Sequence, residues 1–131
     1  MNVFHGLLDR LWLLAVTLYA VNRWLVKPLG VTGFMHDHFN DLLLVPAALP
    51  LVLALHRRLG WRRHEGSPSA MEVALHVGVW ALVCEGLGPA LFHRGVADPL
   101  DVVAYATGGV IAWAWWNRAE LRHSIARLGG L

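Results

Sequence analysis

The sequence predicts an all-α, polytopic membrane protein with four transmembrane helices in an up-down bundle and a short C-terminal amphipathic helix. The first observation is composition: 56% of the 131 residues are hydrophobic and only 15% are charged. This balance suits a chain that faces lipid better than one that faces water. The second observation is four apolar stretches, each near the ~20 residues that one crossing needs. The third is that short polar connections separate them, as in an up-down bundle.

The four predicted spans belong to one domain that covers 1–131. They are residues 6–26, 40–56, 70–92 and 99–117. Asp9 and Arg10 interrupt the first apolar stretch early, which favours a retained helix over a cleavable signal peptide. The fourth span starts after Asp98, with Pro99 in its first turn. Beyond it, residues 118–128 alternate apolar and charged positions at helical spacing, which predicts a helix on the membrane surface.

Basic residues predict the orientation of the chain. Four crossings place the N-terminus, the 57–69 loop and the C-terminus on one side of the membrane. That side carries eight basic residues: Arg10, Arg57, Arg58, Arg62, Arg63, Arg118, Arg122 and Arg127. The opposite side carries three: Arg23, Lys27 and Arg94. This bias predicts an inner (plasma) membrane protein with both termini cytoplasmic. We interpret the arginine loop as a topological determinant, with binding to an anionic lipid or protein as the alternative.

Several functional classes are disfavoured by composition and motifs. The net charge of +2 and the lack of a basic, aromatic stripe argue against nucleic-acid binding. The single cysteine, Cys84, excludes an internal disulfide and a CxxC knuckle. The sequence has no GxSxG, P-loop or GxGxxG motif, and its serines lie on the predicted inner side. Membrane lipids and other membrane subunits are the partners that this composition favours.

Polar residues gather at the predicted outer ends of the spans. The stretch FMHDHFND (34–41) is the densest example in an otherwise apolar region. Such groups are costly to bury unless they are paired, hydrated or bound. The candidates for a ligand or metal site are His36, His38, Asn40, Asp41, Glu85, Asp98, Asp101 and Tyr105. Imidazole and carboxylate ligands suit a divalent cation such as Mg²⁺, Mn²⁺ or Zn²⁺.

Helical spacing suggests that these acids face neighbouring helices. In the fourth span, Asp98, Asp101 and Tyr105 share a stripe that continues into small residues. In the third span the equivalent stripe is predicted to be Ala74, Gly78, Ala81, Glu85, Gly88 and Pro89. Both stripes are predicted to face inward.

Structural roles are the alternatives for the same residues. Asp98 and Asp41 suit helix N-caps, and Glu85 suits a buried pair with Arg94, Arg23 or a histidine. The spacing of Glu72 and His76 predicts a hydrogen bond between them.

The basic residues of the outer side offer a second kind of chemistry. Arg23, Lys27 and Arg94 are candidates for binding a phosphate or another anion. An enzyme at this site would need a histidine or a metal-bound water as its reactive group, as in hydrolysis of a lipid phosphate. A carrier or an acid-lined ion path would use the same residues. The sequence leaves the choice between enzyme and non-enzyme open.

The stretches HDHFNDLLLVP (36–46), EGLGP (85–89) and ADPLDVVAYATGG (97–109) resemble small bacterial membrane proteins of the VanZ-like kind. Some of their relatives are labelled magnesium–citrate secondary transporters. The resemblance covers spans two to four. The matching residues are His38, Asn40, Asp41, Pro46, Glu85, Pro89, Asp98, Pro99, Asp101, Tyr105 and Gly108. The resemblance implies a role in the cell envelope, linked to lipid-linked precursors or to glycopeptide tolerance.

Two functions therefore stand as hypotheses. In the first, an outward-facing His/Asp/Glu site binds a divalent metal, a lipid headgroup or a small anion. In the second, the chain is a non-catalytic accessory subunit that packs within a larger membrane complex.

Overall fold

The computed structural model describes residues 4–92 and 98–130, and all regular structure within them is helical. The helices are α1 (Arg10–Val21), α2 (Phe34–Asp37), α3 (Phe39–Arg58), α4 (Ala70–Ala81), α5 (Gly88–Phe92), α6 (Pro99–Trp116) and α7 (Arg118–Gly129). The all-α prediction is therefore confirmed for the described residues. Two stretches, Phe34–Arg58 and Ala70–Leu87, are long and apolar enough to cross a membrane.

Helices α1 and α4 both continue into a π-helical segment, in which the turns are wider. These segments are Asn22–Val26 and Leu82–Leu87, and each is closed by an N–H that donates to a carbonyl five residues earlier. A proline, Pro28 or Pro89, follows each closing residue and supplies no N–H of its own. Wide turns of this kind are concentrated at functional sites. The ends of α1 and α4 are therefore candidate functional regions.

Helices α3 and α6 form the centre of the structure. They contact each other most extensively, while α1 packs on α3 and α4 packs on α6. Gly108 permits the close approach of α6 to α3, because a Cβ there would collide with the carbonyl oxygen of Leu42. The buried cluster around this contact comprises Val45, Leu49, Leu53, Val73, Tyr105, Ala112 and Trp116.

The inward stripe is confirmed on α6. On α4 it is wrong for Ala74 and Gly78, while Ala81 packs against the core as predicted. Tyr105 and Gly108 of α6 are buried, as their spacing predicts. Ala74 and Gly78 of α4 are exposed, and His76 is buried in their place. The π segment explains the error, since its wide turns break the 3.6-residue periodicity on which the predicted stripe depends.

We call one end of the structure the Arg62 end; α1 and α4 begin there and α3 and α6 finish there. The Asp9 carboxylate organises part of this end. Its Oδ1 accepts hydrogen bonds from the Leu11 N–H at 2.9 Å and from the indole N–H groups of Trp115 and Trp116 at 3.1 and 3.0 Å. Asp9 thus caps α1 and ties it to the last turn of α6.

Arg62 organises the connection between α3 and α4. Its guanidinium donates to Glu72 at 2.7 Å and to the carbonyl oxygens of His64 and Gly66, and Arg62 is only 8% exposed. Glu72 also completes a capping box with Ser69 at the start of α4. The basic loop is therefore partly folded into the structure.

Candidate functional site

The opposite end, which we call the Asp101 end, is where α3 and α6 begin. His38 occupies the N-cap position of α3, and Asp101 lies in the first turn of α6. The Nδ1 atom of His38 lies 2.6 Å from Oδ1 of Asp101. The positive ends of two helix dipoles therefore meet at this point, which favours carboxylates in both first turns.

Asp98 and Glu85 join the same end from neighbouring elements. Asp98 caps α6, because its Oδ1 accepts the Leu100 N–H at 2.9 Å. Its own backbone N–H donates to Oε2 of Glu85 at 2.7 Å. The other carboxylate oxygen of Glu85 accepts the hydroxyl of the buried Tyr105 at 3.2 Å. Glu85, which lies in the second π segment, therefore holds the start of α6 in place.

Asp41 completes the acidic group. It lies in the first turn of α3, as Asp101 does in α6, and its side chain adjoins those of Asp101 and Tyr105. The N-cap residue of α3 is His38. The alternative in which Asp41 caps this helix is therefore wrong. Asp41 instead faces the partner helix, which places two carboxylates side by side between α3 and α6.

Three residues at this end lie close enough together that they could hold a metal ion. His38, Asp98 and Asp101 each offer one ligand atom, and these atoms lie within 4.8 Å of one another. One imidazole nitrogen with two carboxylates is a donor set for Mn²⁺ or Zn²⁺, while Mg²⁺ prefers oxygen alone. Glu85 would act outside this set, since it fixes Asp98 through the backbone.

Asn40 is placed outside the metal cluster. Its Oδ1 accepts a hydrogen bond at 2.9 Å from Nδ2 of Asn22, which also donates to the carbonyl oxygen of Met35 at 2.8 Å. Asn22 is 1% exposed, and its Oδ1 lacks a hydrogen-bond partner among the described residues. The sequence prediction did not include Asn22, although an amide within the apolar stretch 6–26 was a visible signal. The Asn22–Asn40 bond ties the end of α1 to the start of α3.

The remaining candidates lie at the margin of the site or beyond it. His36 pairs with Asp37 at 2.6 Å, and both side chains are about half exposed. Lys27 lines a cavity of about 350 Å³ together with His36 and Asp37. Arg23 is exposed on the first π segment, and Arg94 lies outside the described residues. The structure thus brings Lys27 and His36 to one cavity and leaves them apart from the metal cluster.

The predicted hydrogen bond between Glu72 and His76 is wrong. The Glu72 carboxylate instead accepts hydrogen bonds from the Arg62 guanidinium and from the Ser69 backbone N–H. The Nε2 atom of His76 instead accepts the indole N–H of Trp80 at 2.9 Å. A fully charged donor such as arginine competes better for a carboxylate than a neutral imidazole does.

Comparisons with known proteins give one partial similarity. The chain is 33% identical to the multidrug resistance protein MdtK of Pectobacterium atrosepticum over an alignment of 106 positions that covers 78% of the chain. No family model matches the chain, and no solved structure matches it. The chain spans about a quarter (23%) of the length of the curated relative that it matches.

Proposed function

We propose that this chain is a small inner-membrane protein whose four long helical stretches all cross the bilayer, with both termini cytoplasmic. The two stretches of sufficient length and apolarity support this placement, as does the similarity to part of a multidrug resistance protein. Only 11% of the residues in the apolar stretch Ala70–Leu87 are buried. A core helix of a soluble protein is mostly covered, whereas lipid would cover the exposed Leu75 and Val79 of this helix.

The topology follows from the charge distribution along the chain. The Arg62 end contains the basic 57–69 loop and the start of α7, and the positive-inside rule assigns it to the cytoplasm. Helix α7 exposes Ile125 and Leu128 beside arginines, which suits a position on the membrane surface. The Asp101 end then faces outward.

The second part of the proposal is that the Asp101 end binds a divalent cation. The observation that carries it is the convergence of His38, Asp98 and Asp101 within 4.8 Å. Their charges are expensive in an apolar region unless a cation or water compensates them. With three protein ligands, a metal ion would retain open positions for a headgroup phosphate or another anion. This is the type of envelope function that the VanZ-like resemblance implies.

Manganese titration of the detergent-purified protein tests this site. Free Mn²⁺ is measured by its electron paramagnetic resonance signal in the wild type and in two matched histidine variants. His38→Gln removes a ligand, so we expect affinity to fall by about tenfold or more. His36→Gln removes a histidine that pairs with exposed Asp37 instead, and we expect unchanged affinity. Equal binding by all three proteins would exclude the site.

A second candidate function, an accessory subunit, is favoured by one surface. Helices α4 and α6 border an apolar cavity of about 360 Å³ lined by several small residues, among them Ala74, Ala106 and Gly109. Exposed Gly78 extends the small-residue surface. Small residues allow close contact between helices in lipid. Under this proposal, Gly78→Phe would abolish co-purification with a larger complex from membranes in mild detergent, whereas Leu14→Phe on α1 would leave it intact.

A further inference from the structure

A cavity at the Arg62 end combines basic and apolar walls. Its volume is about 450 Å³, and it lies between the residues before α1 and the last turns of α3. Four basic residues contribute to its lining: His5, Arg57, Arg58 and Arg62. The rest of the lining is mainly apolar and includes Phe4 and Leu53. The cavity is thus amphipathic, because cationic and apolar side chains share its lining.

The three arginines of the cavity differ in how far their charges are already compensated. Arg62 is committed to Glu72 at 2.7 Å and to loop carbonyls. Arg57 lies 3.3 Å from Glu65, but both side chains are about half exposed, so this pair is weak. Arg58 is exposed, and no carboxylate of the described residues forms an ion pair with it. Arg57 and Arg58 are therefore available to an anion.

The apolar wall distinguishes a lipid from a free anion. Leu53 and Phe4 line the cavity, and Leu7, which also lines it, is 38% exposed. An acyl chain that enters the cavity would cover these three apolar side chains. Basic pockets between transmembrane helices on the cytoplasmic side bind the headgroups of acidic phospholipids. Guanidinium groups pair well with phosphate oxygens, often by two parallel hydrogen bonds.

We propose that this cavity binds an anionic phospholipid, with Arg57 and Arg58 contacting the headgroup phosphate and the Leu53 wall contacting an acyl chain. The site lies at the end opposite the proposed metal site and needs no metal. The lipid site rests on the proposed membrane topology, but it and the proposed metal site can fail separately. The lipid would fasten the cytoplasmic end of α3 to the inner leaflet.

Native mass spectrometry of the protein in mild detergent tests the proposal. The probes are phosphatidylglycerol, phosphatidylcholine and inorganic phosphate. We expect one tightly held phosphatidylglycerol per chain and weaker retention of phosphatidylcholine. The double variant Arg57→Gln/Arg58→Gln should weaken the retention of phosphatidylglycerol roughly 30-fold, because each basic residue is expected to contribute a factor of about five. Both arginines are exposed, so the folded structure should persist, as a thermal melt checks.

The matched control removes the same charge from outside the cavity. Arg63 and Arg127 are exposed and do not line it, and we expect Arg63→Gln/Arg127→Gln to retain phosphatidylglycerol within about twofold of the wild type. An equal loss in both double variants would show a general charge effect and overturn the site. Equal retention of phosphatidylcholine would also overturn it. If inorganic phosphate bound as tightly as phosphatidylglycerol, the ligand of the cavity would be a free anion and the lipid proposal would be wrong.

Discussion

The imidazole of His38 and the carboxylate of Asp101 lie 2.6 Å apart and join the first turns of two helices across 63 residues of sequence. Both side chains are mostly covered, at 19% and 18% exposure. The pair therefore fastens the starts of α3 and α6 to each other, and it supplies two of the three proposed metal ligands. A structural role and a binding role meet in the same two side chains.

Asp101→Asn is expected to weaken both roles. The amide keeps the shape of the carboxylate and can still accept from His38, but it loses the charge, so this bond should weaken by about 1 kcal/mol. Manganese affinity should fall by about tenfold or more. Chemical denaturation in detergent measures the first effect and a Mn²⁺ titration the second. The control is Asp37→Asn in the exposed His36–Asp37 pair, for which we expect little change.

Tyr105→Phe tests whether Glu85 is held in place by the phenol. The variant removes the hydroxyl that donates to Glu85 at 3.2 Å, which should cost about 1 kcal/mol of unfolding free energy. Because Glu85 fixes Asp98, we also expect Mn²⁺ affinity to fall by about tenfold, as for other outer partners of metal ligands. Tyr19→Phe removes a phenol from α1 and should change neither quantity. Unchanged metal affinity in Tyr105→Phe would show that the Tyr105 hydroxyl does not support the site.

Gly108→Ala is expected to separate α6 from α3. The new Cβ would collide with the Leu42 backbone, which cannot rotate away as a side chain can. Overpacking of this kind costs about 1–3 kcal/mol. The matched control is Gly78→Ala on α4, where a Cβ would meet nothing within 4 Å. That change should stabilise the helix by roughly 0.5–1 kcal/mol. Denaturation midpoints that shift in the same direction would contradict the packing shown here.

Arg62→Gln is expected to release the connection between α3 and α4. Arg62 is 8% exposed, and its loss would leave the partly buried Glu72 without its main cation. We expect a loss of about 3 kcal/mol in unfolding stability. Neighbouring Arg63 is exposed, and Arg63→Gln should change stability by no more than about 0.5 kcal/mol. Limited proteolysis of the 59–69 loop provides a second measurement, with faster cleavage expected only in Arg62→Gln.

The helical stretches were predictable because apolar runs and prolines mark them plainly. Residues 40–56 were predicted as one span, and α3 covers Phe39–Arg58. The helix predicted at 118–128 forms as α7, Arg118–Gly129, while its position on a membrane surface stays a prediction. The meeting of His38 with Asp101 also followed from the sequence, since both lie at the same predicted ends of their spans.

The features that the sequence did not predict correctly depend on contacts between elements that are distant in sequence. Nothing local shows that two indoles from the end of α6 reach the Asp9 carboxylate. The partner of Glu72 depends on how the loop folds Arg62 back onto α4. The inward face of α4 was misassigned because the spacing rule assumes a regular helix, and Leu82–Leu87 is not regular.

The wide turn of Leu82–Leu87 decides where the site tolerates a change in chain length. Removing one residue from this segment would restore ordinary α-helical winding without altering any ligand. A wide turn holds about one residue more than an α-helical turn, so the chain beyond the deletion would keep nearly the same orientation relative to α4. The same loss from the regular part of α4, between Ala74 and Gly78, would instead rotate Glu85 by about 100° relative to the start of the helix. It would turn Glu85 away from the Tyr105 hydroxyl and uncouple it from Asp98.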